Sequence, residues 1–200
     1  MMASPRICDW EALKRFGRYL LGVPRMAVMF YYQSCPTKVQ VWTDTDHAGC
    51  LSTRKSTSGG IAMLGAHCIK TWSVNQGYIA LSSGEAEYYG AVRGASQALG
   101  LKAMLSDLGV QVGVELMVDA SAAIGIAMRR GLGQVRHIEL NELWLQEQVA
   151  RGRLSICKVD GRKNYADSLT KHCTSERIQQ TIDCTYHRVL QGRHAIMPST

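Results

Sequence analysis

The sequence lacks the features that mark secreted or membrane-inserted proteins. Its longest apolar stretches, such as 26–32, are far shorter than the roughly 20 residues that cross a bilayer, so we expect no membrane insertion. The seven cysteines are odd in number and irregularly spaced, unlike a secreted disulfide framework. No charged segment followed by an apolar core opens the chain, as a secretory signal would. We therefore expect an intracellular, reducing compartment.

Paired ligands at the spacing of structural zinc sites are also lacking. Histidines and cysteines come near one another in two groups, namely His47 with Cys50, and Cys173 and Cys184 with His187. Neither group supplies two pairs of ligands at a standard spacing, which disfavours zinc.

The composition supports one hydrophobic core and an anionic partner. Of the 200 residues, 46% are hydrophobic, which suits one domain with appendages rather than two full domains. The formal net charge of +7 favours a polyanion such as nucleic acid or an anionic membrane surface. A basic protein without such a partner is equally compatible with the charge alone.

Hydrophobic periodicity predicts strands first, and then alternating helices and strands. Strands are predicted at 26–32, 39–44, 61–65, 68–73, 114–119 and 154–159. Helices are predicted at 9–21, 82–109, 120–130 and 138–150, and the last 35 or so residues read as helical with a polar tail. From 39 onward, this order predicts an α/β fold with a mixed five-stranded sheet and helices packed on it.

Two of the predicted strands end in aspartate. Asp44 ends the strand 39–44, and Asp119 ends the strand 114–119. Open α/β sheets tend to bind ligands at the carboxyl ends of their strands. Two strands that end in this way could bring two carboxylates together.

Two further acids belong to predicted helices. Glu87 heads the apolar stripe of the helix that begins near Ser82, whereas Glu85 points roughly 160° away and is expected to face solvent. Asp167, in NYADSLTK, falls in a first helical turn after the last strand. Each acid alone is equally explained as a helix or strand cap. The set of four favours a site for Mg²⁺ or Mn²⁺, because converging carboxylates repel one another unless cations neutralise them.

The motifs, taken in order, resemble one family. WTDTDHAGCLSTRKSTSGG, IALSSGEAEYYGAV, VDASAAIGIA, RHIEL and YADSLTK follow one another between 39 and 171. Together they resemble the ribonuclease H region of copia-type retrotransposon Pol polyproteins. The resemblance divides the chain into an extension at 1–35, similar to the reverse transcriptase connection, a ribonuclease H-like domain at 36–175, and a C-terminal helix and tail at 176–200.

The resemblance implies an endonuclease that hydrolyses the RNA strand of RNA/DNA hybrids with two Mg²⁺ ions, Mn²⁺ being a possible substitute. It implies as partners the hybrid and a reverse transcriptase domain of the parent polyprotein, in the cytoplasm or a virus-like particle. The catalytic and metal-binding residues that it implies are Asp44, Glu87, Asp119 and Asp167. One departure is that the loop DGRKNYAD lacks the His that cellular ribonucleases H carry before the last Asp.

Basic and hydroxylated residues beyond Asp44 are expected to contact the substrate. Cationic, hydroxyl and backbone donors suit the phosphates of the uncut strand, and two amides could reach a minor groove. These substrate-binding candidates are Arg54, Lys55, Ser56, Thr57, Ser58, Asn75 and Gln76. A second basic run comprises Arg129, Arg130, Arg136 and His137, and a solvated helix end explains it equally well.

Other functions fit fewer of these residues. Asp44-Thr45-Asp46 alone resembles the nucleophile motif of haloacid-dehalogenase phosphatases, which leaves Glu87 and Asp119 without a role. An integrase-type transferase would have Glu in place of Asp167. A ribonuclease H-fold module that binds nucleic acid but has lost catalysis stays open as the alternative.

Overall fold

The computed structural model describes residues 5–131, 133, 137–138 and 140–192. Seven strands and five α-helices lie within these residues, in the order α1 Ile7–Gly22, β1 Arg25–Val28, β2 Lys38–Thr45, β3 Thr57–Leu64, β4 His67–Asn75, α2 Ser83–Asp107, β5 Gly113–Val118, α3 Ser121–Met128, α4 Trp144–Ala150, β6 Ser155–Lys158, α5 Ser175–Cys184 and β7 His187–Leu190. Short 3₁₀ turns occupy Leu140–Leu143, Gly161–Lys163 and Tyr165–Leu169. No helix in the described ranges is long and apolar enough to cross a membrane.

Five of the strands form one mixed sheet in the order β4-β3-β2-β5-β6. The β2–β3 and β3–β4 pairs are antiparallel, and the β2–β5 and β5–β6 pairs are parallel. A two-residue turn joins β3 to β4, and Gly65 supplies the positive φ of 59° that it requires. The mixed five-stranded α/β sheet predicted from the sequence is confirmed.

Helix α2 packs closely on the central strand β2. A Cβ at Gly94 would lie 2.3 Å from Cγ2 of Thr43, and a Cβ at Gly90 would lie 2.3 Å from Oγ1 of Thr45. Larger residues at these two positions would force the helix away from the sheet. The small residues therefore bring the first turns of α2 to the end of β2 that carries Asp44.

Two strands from the N-terminal and C-terminal parts of the described chain form a separate two-stranded sheet. Strand β1 pairs antiparallel with β7, so that Arg25 lies opposite Leu190 and Val28 opposite His187. The prediction that the end of the chain is helical is correct for α5 but wrong for β7. A four-residue strand that pairs with a partner some 160 positions away leaves no local periodic signal.

Candidate metal centre

Three aspartates from separate elements converge at one end of the sheet. Asp44 lies near the end of β2, Asp119 directly follows β5, and Asp167 belongs to the turn Tyr165–Leu169. One carboxylate oxygen from each lies within 4.8 Å of the other two. Because β2 and β5 are parallel neighbours, with Trp42 opposite Met117, their carboxyl ends reach the same edge. The strand-end argument thus explains how two of the three acids meet.

Asp44 is the most deeply placed of the three. Its side chain is fully buried, and its Oδ2 accepts a hydrogen bond from the hydroxyl of Thr170. Burial raises the pKa of Asp44 above its ordinary value, although hydrogen bonds from Thr170 and Lys171 oppose this shift. An acid in this position is easier to ionise when a cation lies beside it.

Lys171 supplies a cation between two of the acids. Its ammonium lies 2.9 Å from Oδ1 of Asp44 and 2.8 Å from Oδ1 of Asp167. Burial alone would lower the pKa of Lys171, but hydrogen bonds to Asp167 and Asp44 outweigh it and raise the pKa. The ammonium therefore neutralises part of the negative charge in the cluster.

Glu87 extends from the second turn of α2 towards the same acids. Burial, followed by the negative charges of Asp44 and Asp119, raises the pKa of Glu87 to about 8. Its Oε2 is buried without a hydrogen-bond partner among the described residues. The group within 4.8 Å consists of the aspartates alone, so Glu87 lies at its edge.

The chemistry of these residues fits a hard divalent cation. All the donors are carboxylate oxygens, which Mg²⁺ and Mn²⁺ prefer over nitrogen or sulfur ligands. The buried Oε2 of Glu87 lacks a partner that a cation would provide. Such clusters also occur on protein surfaces without a metal, but Asp44 is fully buried, where a charge is costly unless it is paired.

Asn164, which no motif in the sequence singles out, fixes the turn that carries Asp167. Its side chain is fully buried and donates to the carbonyl of Thr43, next to Asp44, at 2.8 Å. Its Oδ1 accepts from the backbone N–H of Ala166 at 3.2 Å and caps the turn. An Asn just before a short helical turn is a capping signal, whereas its bond to β2 has no signature in the sequence.

Three of the predicted substrate residues are buried. Ser56 accepts a hydrogen bond from the backbone N–H of Ala48, and Gln76 donates to Ser58 and to the carbonyl of Ala86. Gln76 therefore ties the start of α2 to β3. These contacts give Ser56, Ser58 and Gln76 internal roles, and substrate binding by them stays a prediction.

The other predicted substrate residues lie nearer to the surface. Arg54 and Asn75 are exposed, whereas Lys55 and Thr57 are half-buried. The backbone N–H of Thr57 donates to Oδ1 of Asp46, which closes the loop between β2 and β3. This loop begins directly after the strand that carries Asp44. Its cationic residues, Arg54 and Lys55, are therefore close to Asp44 in the sequence.

Glu85 is buried, and the prediction that it faces solvent is wrong. Only 1% of Glu85 is exposed, and its carboxylate accepts from Tyr89 at 2.8 Å and contacts Nε2 of His137 at 2.8 Å. Burial opposes the shift, but hydrogen bonds from His137, Tyr89 and Leu81 lower the pKa of Glu85. The helical projection considered only the sheet as a packing partner, whereas His137 contacts Glu85 on this side of α2. Arg136, from the same basic run, lies outside the described residues.

Comparisons with known proteins give a consistent result. The chain is 31% identical over 172 residues to the Pol polyprotein of the transposon TNT 1-94 from Nicotiana tabacum, covering 85% of this chain and 13% of the relative. It is also 31% identical over 173 residues to the Pol polyprotein of the transposon RE2 from Arabidopsis thaliana, covering 85% and 12%. The chain thus spans about an eighth of the length of these relatives. No protein-family model matches it.

A search of solved structures finds ribonuclease H domains. The N-terminal ribonuclease H domain of a Mycobacterium tuberculosis protein covers 74% of this chain and 96% of its own, with 20% identity and a TM-score of 0.48. A TM-score this low does not by itself establish a relationship between the two structures. Sequence similarity over most of the chain carries the assignment: copia-type retrotransposon Pol polyproteins are homologues of this protein.

Proposed function

We propose that the chain is a metal-dependent endonuclease that hydrolyses the RNA strand of RNA/DNA hybrids. The observation that carries this proposal is the convergence of Asp44, Asp119 and Asp167 within 4.8 Å of one another, with Glu87 beside them. Similarity to the Pol polyproteins supports a function in nucleic-acid processing. The net charge of +7 suits a polyanionic substrate.

The four acids are the residues that would hold Mg²⁺ or Mn²⁺. Two ions held there would supply activation of a water molecule and charge stabilisation of the departing oxygen in an in-line phosphodiester displacement. Thr170 keeps the carboxylate of Asp44 oriented through Oδ2 and leaves Oδ1 on the side of Lys171. Lys171 is the group that would have to withdraw, and its side chain is already 47% exposed to solvent.

The hybrid would be held by charge and shape. We propose that the loop between β2 and β3 contacts the backbone of the uncut strand through Arg54 and Lys55, with help from Thr57 and Asn75. These residues supply cationic, hydroxyl and amide donors of the kind that bind phosphate and sugar without reading the base sequence. Such contacts would position the hybrid without strong sequence preference.

The polyprotein context supports three further proposals. A reverse transcriptase domain encoded by the same element would present the hybrid to this chain, and the reaction would take place in the cytoplasm or a virus-like particle. The division into an extension at 1–35, a nuclease domain at 36–175 and a C-terminal segment at 176–200 is likewise proposed.

Hydrolysis of an end-labelled hybrid by the purified chain tests the function. With Mg²⁺ or Mn²⁺, we expect the RNA strand to be cut inside the hybrid only, and single-stranded RNA, duplex RNA and duplex DNA to stay intact. Asp44→Asn and Glu87→Gln should each abolish cleavage, and Arg151→Met, an exposed change directly after α4, should leave it unchanged. Cleavage that survives Asp44→Asn would contradict the proposal.

One observation favours a second function. Lys171 already pairs with two of the aspartates, so the cluster is partly neutralised without a metal. A nucleic-acid-binding module that has lost catalysis would have such a site. Hybrid binding that is unaffected by a chelator, with no cleavage under any metal, would support this alternative.

A further inference from the structure

Arg177 contacts the candidate metal centre from outside the region that resembles ribonuclease H. That resemblance ends at Lys171, and Arg177 lies in α5, in the C-terminal segment. Only 17% of its side chain is exposed. An arginine buried to this degree is held by specific partners rather than by water.

The guanidinium of Arg177 binds the turn segment before Asp167 at three carbonyls. Nη2 donates to the carbonyl of Asn164 at 2.6 Å and to that of Gly161 at 3.2 Å, and Nη1 donates to the carbonyl of Arg162. A planar guanidinium can satisfy several acceptors at once in a fixed geometry, which a lysine cannot do. Arg177 therefore fixes the loop whose Asn164 is anchored to β2 beside Asp44.

The same guanidinium also contacts Asp167 itself. Nη2 lies 3.3 Å from Oδ2 of Asp167, while Lys171 contacts Oδ1. Lys171 shares its contact with Asp44, a second acid of the cluster, whereas Arg177 contacts none of the other three acids by a hydrogen bond or ion pair among the described residues. When Lys171 withdraws, Arg177 would still hold Asp167 by its second oxygen.

We propose that Arg177 is a positioning residue that orients the Asp167 carboxylate for divalent metal binding, which makes the C-terminal helix part of the active site. The proposal rests on the proposed function, because it assigns Asp167 to the metal centre. According to this proposal, metal binding requires α5. Helix α5 leads directly into β7, which pairs with β1 of the N-terminal extension. The two terminal segments would thus support the catalytic acids.

Binding of Mn²⁺ to the full chain, measured from the electron paramagnetic resonance signal of free Mn²⁺, tests this role without requiring turnover. Partners that orient metal ligands typically contribute about 10–100-fold to affinity. We expect Arg177→Met to weaken Mn²⁺ binding about tenfold, and Arg177→Lys to weaken it by less. In the Asp167→Asn background, Arg177→Met should change the affinity by less than about twofold, because its effect passes through Asp167.

Arg162→Met is the matched control, because it removes one exposed cation from the same loop without touching Asp167. It should leave Mn²⁺ affinity unchanged. An equal loss from Arg177→Met in both backgrounds, or no loss in either, would overturn the proposal and leave Arg177 as a structural residue. If Arg177→Met does not fold, as judged by circular dichroism, the same comparison between the original and Asp167→Asn backgrounds is made with Arg177→Lys.

The same measurement separates this proposal from the proposed function. Suppose that the original chain binds Mn²⁺, that Asp44→Asn loses this binding, and that no hybrid is cleaved. This result would refute the nuclease, but the effect of Arg177→Met on Mn²⁺ binding could still be compared in the two backgrounds. Absence of Mn²⁺ binding by the original chain would refute the positioning role directly. If cleavage occurs, we expect Arg177→Met to lower kcat and to leave the KM for hybrid within about twofold.

Discussion

At the scale of single residues, ionisation of the acidic cluster lowers the stability of the folded chain. The carboxylate of Asp44 is fully buried, that of Glu87 is partly buried, and the pKa of each is raised. Lys171 offsets part of this penalty through its contacts with Asp44 and Asp167. The site therefore favours protons at low pH and cations at high pH, which allows two predictions at this scale.

The first prediction concerns pH. The pKa of Glu87 is about 8 in the folded chain and about 4.5 in the unfolded chain, so the folded state binds more protons between these values. The free energy of unfolding without metal should therefore fall as pH rises from about 4.5 to 8, by an amount on the order of a few kcal/mol. Urea denaturation in a chelator at several pH values would measure it. Glu87→Gln should flatten this dependence, and an equally steep slope in the variant would contradict the assignment.

The second prediction concerns Lys171→Met. Without metal, the variant leaves Asp44 and Asp167 without their shared ammonium, and the free energy of unfolding at pH 7 should fall by about 1–2 kcal/mol. This is less than the loss for a fully buried pair, because the lysine is 47% exposed. Saturating Mn²⁺ should raise the Tm of the variant more than that of the original chain. A variant that responds to Mn²⁺ less than the original chain would show that Lys171 does not occupy the metal position.

At the scale of secondary-structure elements, the contact between α2 and β2 determines where Glu87 lies. Gly94→Ala places a methyl group 2.3 Å from Cγ2 of Thr43, and overpacking of this kind costs about 1–3 kcal/mol. Gly100→Ala, in the same helix with nothing within 4 Å of the new Cβ, should instead stabilise by up to about 1 kcal/mol. Thermal unfolding of the two variants compares them. Equal stabilisation by both would show that α2 does not lie so close to β2.

Sequence patterns predicted the elements that depend on local periodicity. Alternation and turn residues identified the five strands of the main sheet, and the helical stripe placed Glu87 towards it. Strand β7 was missed because its pairing with β1 is long-range, and burial of Glu85 was missed because a second surface covers α2.

The candidate site was predictable to a similar extent. Asp44 and Asp119 follow from the strand ends, and Asp167 follows from its place in a first helical turn after the last strand. The contacts of Lys171, Asn164 and Arg177 arise from tertiary packing between segments, and no spacing in the sequence encodes them.

At the scale of the whole molecule, the charge of +7 predicts a steep dependence of hybrid binding on salt. Each lost phosphate contact should reduce the slope of log K against log salt concentration by about 1. We expect this reduction from Arg54→Met and from Lys55→Met, measured by fluorescence anisotropy of a labelled hybrid with Ca²⁺. Arg151→Met, an exposed arginine paired with Glu147 on α4, should leave the slope unchanged. An unchanged slope in the first two variants would remove the β2–β3 loop from the substrate interface.

The most direct measurement is an anomalous difference map from crystals of the chain grown with Mn²⁺. We predict a peak among Asp44, Asp119 and Asp167, with Glu87 turned towards it and the ammonium of Lys171 displaced from Oδ1 of Asp44. A map without a peak at this position, with Lys171 still bridging Asp44 and Asp167 at saturating Mn²⁺, would contradict a metal centre formed by these acids.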